Sequence, residues 1–266
     1  MILASGSVLT HALAWSAAIA YLVPATWPAI GDRIGRAVLL LGWLLHALVL
    51  AVSLAGAAPH FGFAPALSVT AWLVVAVYAV ESHTYPQLRL RRVLCALAAV
   101  TVLLALVFPG TPLHPSASVW LPLHWALGIA SYGLFGAAVA QAWMMGRAED
   151  RIRLGAEPES GMPLLKLERL TFRFVWAGFV LLTATLLVVL VYGEMLYGPG
   201  SGLRMDHKSV FTILSWLTFA ALLLGRMRYG WRGRRAVRVL YAGAGLLFLA
   251  YVGSRFVMEV VLSRAT

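Results

Sequence analysis

Seven histidines stand in a chain of 266 residues that is 61% apolar and only 12% charged. In so apolar a setting an imidazole either hydrogen-bonds a neighbouring helix or ligates a metal ion. His83 lies beside Glu81, and His60 and His114 fall in connections rich in Gly and Pro, so these three read as solvated. His11, His46, His124 and His207 lie within or at the edge of long apolar stretches. His124 has Gly128 and Ser131 after it at helical spacing, and His46 has Gly42 before it and Ser53 after it. Small residues beside an imidazole leave room for the plane of a porphyrin, whose iron takes one or two axial histidines. Trp15, Trp43 and Trp125 stand near these histidines and would line a ring edge. A zinc or other divalent cation is a further reading, for which acidic partners are scarce; Glu194 is the nearest. Arg255, in YVGSRFVMEVV, is the remaining charge in an apolar stretch. It either snorkels outward and pairs with Glu259, or receives a carboxylate such as a haem propionate.

The elements that must position these side chains are membrane helices. Soluble chains are nearer half apolar and a quarter charged, and this composition is that of an integral membrane protein. Eight apolar stretches are long enough to span a bilayer, at 3–24, 37–57, 65–82, 93–109, 119–144, 171–195, 208–225 and 237–260. With alternate connections assigned inward, all of the 21 Lys and Arg except Arg204, Lys208, Arg255 and Arg264 gather on one side. Basic residues mark the cytoplasmic side, so the expected fold is an all-α bundle of eight helices with both termini outside. Insertion accounts for the net charge of +11, and no nucleic-acid partner is expected. His124 and His207 then start their helices at the outer surface. His11 and His46 are expected roughly 12–16 Å deep, at similar levels in adjacent antiparallel helices.

The single cysteine, Cys95, excludes an intrachain disulfide, a CxxC pair and a CxxCH haem attachment. The first segment has no positive leader region and reads as a retained helix rather than a signal peptide. Residues 1–266 read as a single polytopic domain whose sizeable loop, 146–172, is cytoplasmic. Pro158, Gly161 and Pro163 break that loop into a helix extension, a turn and PLLKLERLTFR, whose Leu164, Leu167 and Leu170 at helical spacing predict a membrane-surface helix leading into the sixth span. There is no P-loop, nucleotide fingerprint, zincin motif or nucleophile elbow, and no catalytic activity is expected.

LHWALGIASYGLFGAAVAQA (123–142), LERLTFRFVWAGFVLLTATLL (167–187), DHKSVFTILSWLTFAALLLGRMRYGWRGRRAV (206–237) and LAYVGSRFVMEVVL (249–262) resemble the cytochrome c assembly family of haem-handling membrane proteins. The resemblance covers most of the chain and is strongest from His124 onward. It implies a helical bundle of a bacterial inner membrane in which outer histidines hold haem for export or delivery. His124 stands where the family has its first outer histidine. DHKSVFTILSW looks like the family's Asp-Pro-Lys-Glu-Thr-Trp helix start, with His207 in place of the Pro. Departures are also plain. The segment Tyr192–Lys208 contains no Trp, so the Trp-Trp-Asp haem platform is missing, and no histidine follows His207. The deeper ligands would have to be His11 and His46.

The resulting expectation is a protein that holds or relays non-covalent, b-type haem at the outer face, in contact with lipid and other membrane proteins. His46 and His124 are the favoured axial ligands, with His11, His207 and Arg255 as further contacts. Two alternatives stay open: an accessory transport subunit, for metal cations among others, with structural histidines, and an electron-transfer protein carrying b-type haem.

Overall fold

The structure is a computed structural model that describes residues 8–27, 30–55, 60–84, 90–112, 120–155, 163–197 and 206–262. Its helices are α1 (Val8–Thr26), α2 (Asp32–Ala55), α3 (Phe63–Thr84), α4 (Arg91–Val107), α5 (Trp120–Arg153), α6 (Leu164–Tyr197), α7 (His207–Tyr229) and α8 (Gly233–Phe248). Past α8 the chain stays helical to Val261, with π-helical winding at Leu249–Gly253 and Val257–Val261. Seven helices are long and apolar enough to cross a membrane; α4, at 17 residues, is at the lower limit and is not among them. The expected all-helical architecture is therefore present, with eight helices among the described residues.

The chain divides into two compact units, residues 1–113 with 258–266, and residues 114–257. In the first, α1 packs on α2 and α4, and α3 packs on α4. The alanine face of α1 (Ala14, Ala17) lies against Val49 of α2 and Val102 of α4, since helices without a hydrophobic drive between them associate where small side chains allow close approach. A strand pair, β1 (His60–Phe61) and β2 (Thr111–Pro112), joins the segments before α3 and after α4, with His60 opposite Pro112. An added Cβ at Gly62 would lie 2.7 Å from the Cα of Gly110, so the two backbones touch.

The second unit is built from α5 to α8 around two stacked rings. Phe135 of α5 and Phe219 of α7 lie with centroids 3.8 Å apart and planes 5° from parallel. Glycines flank the stack: an added Cβ would meet the Phe135 ring at 3.1 Å from Gly178 and the Phe219 ring at 2.9 Å from Gly243. Polar groups tie the same helices together. Ser215 donates to the carbonyl of Gly243 at 2.8 Å, and Trp216 Nε1 donates to Thr183 Oγ1 at 2.9 Å. Gly243→Ala forces that ring to move within a filled core, and is expected to cost about 1–3 kcal/mol. A thermal scan of the detergent-solubilised variant checks this; an unchanged midpoint would show that the stack yields freely.

α5 and α6 are 34 residues each, about 51 Å at 1.5 Å per residue, and so outreach a hydrocarbon core of about 30 Å. Much of the segment 146–172 is accordingly helical. The separate membrane-surface helix expected at 163–173 is instead the opening of α6. The reason is packing: Leu167 and Leu170 are buried within the protein. Glu168 there meets Arg226, and Arg226 lies 3.7 Å above the Phe172 ring. α7 ends at Gly230, whose left-handed φ of 62° turns the chain so that Trp231 covers Gly225. Arg235 then lies 4.2 Å above the Trp231 ring. The Gly-Trp-Arg-Gly sequence is thus a folded turn.

Candidate functional site

α5 opens at Trp120, which stacks on Tyr192 of α6 with centroids 3.8 Å apart. One turn further stands half-buried His124, with the backbone of Thr185 of α6 nearby. Its Nδ1 is shut off from solvent and has no hydrogen-bond partner among the described residues. Leaving a buried polar atom unsatisfied costs about 1–3 kcal/mol, so such an atom calls for an explanation. On the same face, Gly128 sits against Thr185: an added Cβ would meet Thr185 Cγ2 at an ordinary contact distance of 3.7 Å, without a clash. Ser131, the second small residue of the spacing, is buried and donates to the carbonyl of Gly128 at 2.7 Å.

His207 is exposed and begins α7. Asp206 before it caps the helix by accepting from the Ser209 N–H at 2.9 Å. Partial burial acts to raise the pKa of Asp206. The bonds from Ser209 and the charges of Lys208 and His207 outweigh it and hold the carboxyl below its usual range. Arg255 is half-buried, with its guanidinium carbon 5.9 Å from the Tyr251 ring. It sits on the short α-helical turn Ser254–Phe256 between the two π-helical segments. π winding inside helices is rare and concentrates at functional sites. His124, His207 and Arg255 belong to the same unit. They occupy the helix ends opposite the arginine-rich turn, because α5 and α7 start there and the last helix finishes there.

His46 is fully buried in the other unit. Its Nε2 lies 2.8 Å from Ser68 Oγ of α3 and its Nδ1 3.4 Å from the Tyr21 hydroxyl of α1. Both ring nitrogens are engaged, and the histidine ties three helices. The room expected beside it is taken: an added Cβ on Gly42 would meet the Tyr21 ring at 3.1 Å. Trp43 stacks on Trp72, centroids 4.8 Å apart, and each indole N–H donates to the other's carbonyl. The equal depth expected for His11 and His46 is corrected. His46 stands level with Tyr21, about three turns, or ~15 Å, along α1 from His11. The described part of α1 begins at Val8, which puts His11 in its first turn.

Of the remaining candidates, His83 and Glu194 are exposed, Trp15 is 55% exposed, and His114 lies outside the described residues. Among the described residues no three His, Cys, Asp or Glu side chains gather into a metal site. Sequence reasoning missed Tyr21, Ser68, Trp72 and Thr185. Each belongs to a different helix from the residue it contacts, and only its polar character within an apolar run marked it.

Membrane-length helices, interhelical polar contacts and histidines near helix starts define a polytopic helical membrane protein. The family model described as cytochrome C assembly protein matches residues 32–262, and the chain belongs to this family. It is 32% identical over 169 residues to the inner membrane protein YpjD of Escherichia coli K12, covering 62% of this chain and 63% of that one. It is 26% identical over 169 residues to the cytochrome c biogenesis protein CcsA of Synechococcus sp. RCC307, covering 54% of each. An uncharacterized 28.8 kDa protein of Azospirillum brasilense is 33% identical over 147 residues, with 54% of each chain covered. The chain thus spans less than two thirds of these relatives' lengths. No solved structure matches it.

Proposed function

We propose that this protein holds haem non-covalently in a bacterial inner membrane and hands it on without converting it. The observation that carries the reading is the solvent-excluded Nδ1 of His124, which has no hydrogen-bond partner among the described residues. A solvent-excluded ring nitrogen with no protein partner is one that can serve as a metal ligand. Haem supplies an iron that accepts an imidazole and propionates that accept a guanidinium. His124 is the proposed ligand, exposed His207 the second imidazole at that end, and Arg255 the propionate partner. A haem on His46 requires that ring to give up Ser68 or Tyr21, and His11 is a further contact of the first unit. Cys95 is a buried free thiol, consistent with a non-covalent mode.

The names of the relatives support the placement and the haem reading. The missing Trp-Trp-Asp segment favours holding haem over maturing a cytochrome, and the recipient would be another membrane protein. Both termini face the periplasm, with the arginine-rich turn after α7 in the cytoplasm. The test is the absorption spectrum of purified protein after haem is added, together with periplasm-dependent reporters fused at residues 200 and 230. A Soret band and signal at residue 200 alone are expected. No Soret band after supplementation would sink the haem reading, and signal at residue 230 alone would invert the topology.

A further inference from the structure

At the opposite end of the second unit, an open groove of about 540 Å³ runs along α6 beside the end of α7. Arg169, Arg173 and Arg226 line its rim, and Phe172, Trp176 and Val180 line the rest. Arg226 is committed to Glu168. Arg169 and Arg173 are exposed, one helical turn apart, and form no ion pair among the described residues. Like charges at this spacing oppose each other on a helix, so the pair is more stable with an anion between its members. Below them on the same face, Trp176 is 45% exposed and Val180 56% exposed. The stripe therefore passes from cations to an aromatic to aliphatic surface within three turns. A phospholipid has the same order: phosphate, glycerol backbone, acyl chain.

We infer that this groove is a binding site for an anionic diacyl phospholipid. Its phosphate lies between Arg169 and Arg173, the two lining arginines not engaged in an ion pair among the described residues. Its acyl chains run over Trp176 and Val180. Charge complementarity selects a headgroup with net negative charge over a zwitterionic one, and the apolar wall selects a lipid over free phosphate. The site stands at the other end of the unit from His124, so it is separate from any haem held there.

Native mass spectrometry of the full chain in detergent, titrated with phosphatidylglycerol or phosphatidylcholine, tests this. Phosphatidylglycerol should bind more tightly, and Arg169→Gln/Arg173→Gln should weaken it about tenfold. Arg169→Lys/Arg173→Lys should keep most of the affinity, which separates lost charge from lost folding. Arg33→Gln/Arg36→Gln removes two exposed arginines elsewhere and should change nothing. Equal binding of the two lipids, or equal losses in the two Gln double variants, would overturn the proposal. Displacement of phosphatidylglycerol by millimolar inorganic phosphate would also overturn it, and would identify a site for free phosphate.

Discussion

Replacing His124 with alanine is expected to weaken haem binding by roughly tenfold or more, with loss of the Soret intensity that added haem produces. Supporting residues around a metal commonly contribute 10–100-fold to affinity, and removal of a ligand should do no less. The substitution deletes the one buried ring nitrogen of this unit that lacks a partner among the described residues. It should leave the fold intact, because the stack of Phe135 and Phe219 that centres the unit lies about three turns away on α5. Gly128→Leu should lower occupancy as well, because a branched side chain there would press on Thr185 and crowd the imidazole one turn away. Exposed His83 provides the control, and His83→Ala should keep the native spectrum. Matching spectra for the His124 and His83 variants would remove His124 from the site.

Apolar run length located every helix, because a bilayer demands about twenty apolar residues and little else in a sequence does. Helix ends were less legible. The segment 146–172 read as a helix extension, a turn and a surface helix; α5 does extend, to Arg153, but the expected surface helix is continuous with α6 from Leu164. Hydrophobic periodicity reports that a face is covered and does not say what covers it. The Leu164, Leu167 and Leu170 stripe suits a lipid surface and a protein core equally, and here Leu167 and Leu170 are buried in the protein. The strand pair of two residues each is too short to leave a pattern.

Histidine depth was legible only as far as the helix ends were. Counting inward from assumed span limits put His11 and His46 level, whereas the contact with Tyr21 sets the true register of α1 against α2. Glycine beside histidine was an ambiguous sign for a related reason. Gly42 admits an aromatic ring from the next helix, while Gly128 meets only ordinary contact, and both read alike in sequence. The π winding around Arg255 had no local marker in the sequence.

The ion pair at the arginine-rich end should carry the largest single effect on stability. Glu168 is only 8% exposed and takes Arg226 Nη1 as its close partner, with Arg232 Nε at 3.9 Å. Removing one member of a buried pair leaves an uncompensated charge, which costs about 3–5 kcal/mol. Arg226→Leu is therefore expected to destabilise the protein by roughly that amount. Arg232 softens the loss, since its guanidinium can move closer to the carboxylate, while the cation above the Phe172 ring is lost outright. Arg226→Leu/Glu168→Leu should recover more than half of the deficit, because an apolar replacement of both partners removes the stranded charge along with the bond. Unfolding midpoints of the native protein and both variants in one detergent measure this. A double variant no more stable than Arg226→Leu would show that the arginine acts through Phe172 and packing, with the ion pair contributing little.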